Sequence, residues 1–192
     1  MSLIPFGFWA ASGAGGGGGA YDLLETVTLT SSASSVTFSG LGSYSGYAHL
    51  QVRAVGQSTY TGDGVINVMA RINSDTGSNY ALHDLYCFNN PINSFVTSTG
   101  YGSQTKMIAR NVLTSSSSSY QVGCFIMDFL DFSSTSKTKT MRVLGGATQS
   151  GQSTVILSSG LWNDTAAVTT ILIYVASNFA AGSRFSIYGI RG

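Results

Sequence analysis

The residues able to do chemistry in this 192-residue chain are few and scattered. Its two histidines, His49 and His83, have no metal-ligand partner at helical or hairpin spacing. His83 is followed directly by Asp84, but neighbours on a strand point to opposite faces, so the two cannot act together. Asp128 and Asp131 lie three apart at the end of an apolar run, where a retaining glycosidase would want two carboxylates about 5 Å apart. Strand geometry puts them on opposite faces as well. They read instead as a strand end whose carboxylates accept backbone or Ser/Thr hydrogen bonds from the SSTSKTKT segment. The glycine run GAGGGGG (13–19) lacks the preceding strand, following helix and terminal Lys of a phosphate loop. Asn163-Asp164-Thr165 matches a glycosylation acceptor, a triplet common enough to arise by chance. The residues therefore predict no catalytic site, no metal site and no cofactor.

The elements that would position these groups are strands. GVINVMARIN alternates, with Ile66, Val68, Ala70 and Ile72 on one face and Asn67, Arg71 and Asn73 on the other. AHLQVRAV does the same, Leu50, Val52 and Ala54 opposing His49, Gln51 and Arg53. Further strand patterns run over 26–30, 35–39, 80–88, 105–113, 120–132, 138–144, 154–158, 169–176 and 184–190, about eleven strands in all. Gly/Ser/Asn/Asp clusters such as NSDTGSN and TQSGQS separate them as turns. Helix formers are scarce: the chain holds one Glu and three Lys, and the nearest helical stretch, 162–168, is too short to matter. Many short strands without intervening helices predict an all-β sandwich or barrel over residues 21–192.

Two strands are apolar on both faces. In QVGCFIMDFLDF, Val122, Cys124 and Ile126 alternate with Phe125, Met127 and Phe129; in TTILIYVAS, Ile171, Ile173 and Val175 alternate with Leu172 and Tyr174. A sandwich strand needs one apolar face, so the surplus calls for a cover, either a loop or another copy of the chain. Only 9% of residues are charged, against about 25% in an average chain. Thirty Ser, 19 Thr and 24 Gly supply a neutral polar surface, and the net charge of +1 offers no attraction to nucleic acid or an anionic membrane. A homo-oligomer is expected. Cys87 and Cys124, each within an apolar run, read as buried thiols. No stretch approaches the roughly 18 apolar residues that span a bilayer.

Residues 1–20 have a different character. Leu3, Ile4, Phe6, Phe8 and Trp9 crowd together, and the following residues through Ala20 are Ala, Gly and one Ser. The absence of a basic start, Pro5 within the apolar run and the glycines mark this as mature chain, not a signal peptide. An apolar plug ahead of a side-chain-free connector reads as an anchor for a partner's pocket, in an extended N-terminal arm. Tyr44, Tyr47, Tyr60 and Tyr101 fall in Gly/Ser-rich loops, where an exposed ring can stack on a sugar or a partner. Asp63, Asn73, Asp75, Asn79, Asn89 and Asn93 supply hydrogen-bonding groups in the same loops.

The segments IPFGFWAASGAGGGGGAYDLLET, FLDFSSTSKTKTMRVLGG and NFAAGSRFSIYGIRG resemble small structural proteins of tailed bacteriophages, over essentially the whole chain. That resemblance implies a non-enzymatic virion protein with a jelly-roll-like antiparallel sandwich, commonly a homotrimer, docked to other virion proteins through the Leu3–Trp9 segment. A tail-fibre or receptor-binding component contacting host surface glycan is the first expectation, and a head decoration protein clamping capsid subunits the alternative. The closing RFSIYGI strand behind a Gly-rich start is also similar to trimeric jelly rolls of the complement and tumour-necrosis-factor type, though the collagen-type Gly-X-Y repeat is missing.

Overall fold

The computed structural model describes residues 19–62, 64–89, 92–96, 104–115, 121–149 and 152–192. Twelve strands occur among them: β1 (Tyr21–Thr28), β2 (Ala33–Phe38), β3 (His49–Gly56), β4 (Val65–Ile72), β5 (Tyr80–Phe88), β6 (Ile92–Val96), β7 (Met107–Thr114), β8 (Gly123–Leu130), β9 (Lys139–Gln149), β10 (Gln152–Trp162), β11 (Ile171–Phe179) and β12 (Arg184–Ile190). They form an eight-stranded sheet, β1-β12-β3-β8-β9-β10-β5-β6, and a four-stranded sheet, β2-β11-β4-β7, with every strand pair antiparallel.

The topology is a jelly roll with additions. Setting aside β5, β6, β9 and β10 leaves eight strands paired from the outside inward as β1·β12, β2·β11, β3·β8 and β4·β7. That is one long antiparallel ribbon rolled upon itself, and its pairs join into two sheets through β12·β3 and β11·β4. The two insertions then continue the larger sheet beyond β8, as β8·β9, β9·β10, β10·β5 and β5·β6. The all-β sandwich expected from alternation is thus observed.

The core lies between the sheets. Leu50, Val52 and Ala54 from β3, Phe125, Met127 and Phe129 from β8, and Met141 and Val143 from β9 meet Val68, Ala70 and Ile72 from β4 and Ile171 and Ile173 from β11. Most of these are wholly buried, which is the period-two pattern of their segments made physical. Phe179 and Phe185 close one end as an edge-to-face pair with centroids 4.8 Å apart. The only helical element among the described residues is a single 3-10 turn, Leu41–Tyr44, entered through Gly40 at φ 67° and pinned by buried Leu41.

Three expectations about the elements need correction. The first strand begins at Tyr21, not Thr26: its outward Leu23 and inward Leu24 hide the alternation in sequence, and a bulge between Leu23 and Glu25 breaks the pairing with β12. β6 was not foreseen, because Pro91 and Asn/Ser neighbours mask so short an edge strand. β10 runs to Trp162 rather than stopping at Ser158, since Ser159 and Gly160 still pair with Arg142 and Met141. Gly160 sits where a Cβ would come 2.6 Å from Met107 Sδ, so the small residue makes room for core methionines.

Candidate functional site

Sheet register turns the surplus apolar residues into a surface. On the outer face of the large sheet, Arg53, Ile126, Leu144, Leu157 and Leu85 stand side by side across β3, β8, β9, β10 and β5. The next row along the strands is Val55, Cys124, Gly146, Val155 and Cys87. Most of these side chains are open to solvent, with Val155 62% exposed, Leu144 54% and Leu85 50%, while Ile126 and Cys87 are half-buried. A cleft of about 540 Å³ opens beside these rows between Val55, Cys124, Leu144 and Val155 and the β12 residues Ser186 and Tyr188. Leu144, Val155, Leu157 and Leu85 all belong to the inserted strands. The additions to the jelly roll therefore build most of the strip.

The opposite end of this face is polar and tied together. Arg53 lies between the rings of Tyr21 and Tyr188, 5.2 and 4.8 Å from their centroids. Its Nε donates to Gln51 Oε1 at 2.7 Å, and Gln51 Nε2 donates to Asp128 Oδ1 at 2.7 Å. Arg142 closes the chain by donating to Asp128 Oδ2 through both Nη2 (2.8 Å) and Nε (3.1 Å). These six groups fix one another, four of them along the row Tyr188, Gln51, Asp128, Arg142, so they restrain the sheet rather than offer open valences.

The candidate catalytic residues do not come together. His83 is exposed on the outer face and Asp84 is fully buried on the inner, as strand geometry requires. Asp84 Oδ2 accepts from Arg110 Nε at 2.6 Å across the two sheets, while Oδ1 has no hydrogen-bond partner among the described residues. Asp128 is held as described. Asp131 follows β8 at φ 49° and accepts from Lys137 Nζ at 2.8 Å, with His49 Nδ1 3.7 Å away. The hydrogen bond and charge of Lys137 hold the Asp131 carboxyl below its ordinary range. Its partners are thus His49 and Lys137, the latter from the SSTSKTKT segment, and those of Asp128 are Gln51 and Arg142, where backbone or Ser/Thr donors were expected. Among the described residues no group of three or more His, Cys, Asp or Glu could hold a metal ion. The thiol reading is corrected too: Cys124 is exposed and Cys87 half-buried, because both sit on the outward face of strands apolar on both sides.

Most loop groups singled out for recognition are spent on the fold. Tyr44 and Tyr47 pack against the core, and Tyr47 donates to Asp22 Oδ2 at 3.0 Å beneath the Arg191 guanidinium. Asn73, at φ 51°, accepts from the Thr169 and Thr170 amides and donates to Ala167 O, stitching the β4–β5 turn to the chain entering β11. Asp75 gathers donors from Trp162 Nε1 (2.7 Å), Asn79 Nδ2 (2.8 Å) and the Gly77 amide (2.7 Å). Burial works to raise the Asp75 carboxyl, but the donors from Trp162, Asn79 and Gly77 outweigh it and hold its pKa below 3.8. Asn89 Oδ1 accepts from the Ser153 amide. Leu3, Ile4, Phe6, Phe8, Trp9, Asp63 and Tyr101 lie outside the described residues, as does the side chain of Asn93.

Tyr60 is different. It is 49% exposed and lines a second cleft, about 620 Å³, with Val65, Asn67, Met69, Gln152 and Ser177. Sequence reasoning named Tyr60 but missed its neighbours, which come from β4, β10 and β11 and meet only in the tertiary structure. The outer strip was signalled by the double-faced apolar run of β8, yet its extent follows from register alone.

No protein-family model and no curated protein sequence matches the chain. Among solved structures, it is similar at 10% identity and a TM-score of 0.25 to a crystal structure of a protein of unknown function from Shewanella oneidensis MR-1, over 90% of this chain and 76% of that one.

Proposed function

We propose that this chain is a non-enzymatic structural protein of a tailed-phage virion, a homotrimeric tail-fibre or receptor-binding component attached by its N-terminal arm. The observation that carries the reading is the exposed strip Val55, Cys124, Leu144, Val155 and Leu157 on a jelly roll with few charges. A protein built to turn over a solute gains nothing from an uncharged apolar sheet face, whereas a subunit held by others does. Host surface glycan is the ligand, and the cleft beside Tyr60 supports it: the exposed ring offers a stacking face, bordered by Gln152, whose Oε1 accepts from the Val65 amide, and Ser177, whose hydroxyl bonds that of Ser58.

Quantitative mass spectrometry of purified virions tests the reading. A copy number that is a small multiple of a trimer supports a fibre, and one that follows the capsid lattice moves the chain to the head as a decoration protein. Absence from the particle overturns both. A chain lacking residues 1–18 should stay folded, as judged by an unchanged melting temperature, and fail to join the particle; normal incorporation would place the attachment on the sandwich.

A further inference from the structure

We propose that the cleft at the β12 end of the outer face binds a single-chain amphiphile with an anionic head, held by Arg184 beside the fixed charge of Arg53. The proposal goes beyond the virion reading and does not depend on it. This cleft lies on the large sheet, whereas the Tyr60 cleft lies over β4 and β11 of the small one. Its volume of about 540 Å³ falls within the roughly 300–1,000 Å³ of small-molecule sites. The lining is divided by chemistry: Val55, Cys124, Leu144 and Val155 make an apolar side, and Arg53 and Arg184 stand with Ser186 and Tyr188 on a polar one. Both formal charges are positive, and no acidic residue lines the cleft. Asp128, one row further along the strands, is paired with Arg142.

The two charges stand close enough to act on one anion. Arg184 pairs across from Val55, and Arg53 lies two residues along the same face of β3, a diagonal of about 7–8 Å. Arg53 is preset, with the Tyr21 and Tyr188 rings beside its guanidinium and its Nε tied to Gln51, so its charge is in place before a ligand arrives. The Arg184 guanidinium makes no hydrogen bond or ion pair among the described residues, which leaves its planar fork to a carboxylate or phosphate. A free inorganic anion would leave the apolar side wet, and a neutral apolar molecule would leave the cations unmatched. An amphiphile serves both. Its tail would cover Val55, Leu144 and Val155, and the span from β12 to β10 is four strand spacings, about 19 Å, across which a tail can lie.

The experiment is calorimetric titration of the full chain with decanoate, decyl phosphate and decyltrimethylammonium, each below its micelle concentration. Iodoacetamide labelling of Cys124 and Cys87, read by peptide mass spectrometry, accompanies it. The expected result is one saturable site for the anionic amphiphiles and none for the cation. Tighter binding of decanoate assigns a fatty carboxylate, and of decyl phosphate a phosphate head. Arg184→Gln should weaken binding about tenfold, and shortening decanoate to octanoate, two methylenes, should weaken it by about the same factor. Arg184 is exposed, so its variant should keep the wild-type melting temperature, and a Tyr60→Ala control should keep the wild-type affinity. Bound decanoate should slow labelling of Cys124, which lines the cleft, and leave Cys87, which does not, unchanged. The proposal is overturned by no saturable binding, by equal binding of the cation, by an Arg184→Gln affinity equal to wild type, or by binding that leaves Cys124 labelling unchanged. So it is by a Cys124 shielded before any ligand is added, since a second copy or residues 1–18 would then fill the cleft. Absence of the protein from virions removes the phage reading and leaves this site standing.

Discussion

Asp75 shows how much of this chain's polar chemistry is structural. One carboxylate, largely covered, receives three donors and anchors Trp162, the last residue of β10, to the β4–β5 turn. Tyr80 beside it is wholly buried, its hydroxyl accepting from the Ile72 amide, and burial pushes its phenol up to about 12. Because the folded Asp75 carboxyl titrates below its unfolded value of 3.8, the unfolded chain binds more protons as pH falls through that interval. Its stabilising contribution is present above pH 3.8 and lost progressively below. Asp75→Asn should cost about 2 kcal/mol at neutral pH, since an amide presents one acceptor and sets its own N–H groups against a donor. Urea midpoints measured from pH 6 to pH 2.5 should also fall less steeply in the variant, with a residual slope from Asp131, whose carboxyl is lowered in the same direction. Parallel pH profiles would show that the donors do not stabilise the charge.

At the scale of elements, the β9–β10 ribbon carries the molecule's departure from a plain jelly roll. Eleven residues of each strand pair without interruption, so every outward residue of β9 has a fixed neighbour on β10. Gly146 is required by this closeness: a Cβ there would lie 2.7 Å from the Thr154 carbonyl oxygen, a backbone atom that cannot swing aside. Gly146→Ala should therefore cost about 1–3 kcal/mol in chemical denaturation by forcing the two strands apart. Thr148→Ala, an exposed position on the same strand, should stay within about 0.5 kcal/mol. Equal effects would mean that the ribbon relaxes freely around a methyl group. The other end of the sheet is held differently: Asp22 on β1 accepts from Tyr47 and Arg191, which locks the first strand beside the last.

Across the whole molecule, the ends of the chain close the roll. β12, the last of the described strands in chain order, lies between β1 and β3 and completes the sheet that the first begins. It also brings Phe185 and Ile187, both wholly buried. Ending the chain after Ser183 should remove those side chains and leave β1 without a partner strand. Two buried side chains at about 1.5–3 kcal/mol each, plus a lost ladder on both sides, rival the 5–15 kcal/mol that holds a typical domain together. The expected outcome is a chain with no cooperative melting transition; a sharp transition would show that the jelly roll stands without its closing strand.

Period-two alternation made the strand content and the core of this protein legible. Val68, Ala70, Ile72, Ile171, Ile173, Phe125, Met127 and Phe129 all face inward as their spacing requires, because a pleated strand sends alternate side chains to opposite sides. Near-absence of charge and the double-faced runs likewise pointed to surface that wants covering. Alternation is a property of one strand, however, and says nothing about its neighbours. Which strands stand together, and hence that Ile126, Leu144, Leu157 and Leu85 form one row while Tyr60 meets Gln152 across a cleft, was decided by long-range pairing between segments far apart in the chain. The same pairing turned Asn73 and Asp75 from loop donors into internal clamps, since a polar side chain bonds to whatever the tertiary fold brings within reach.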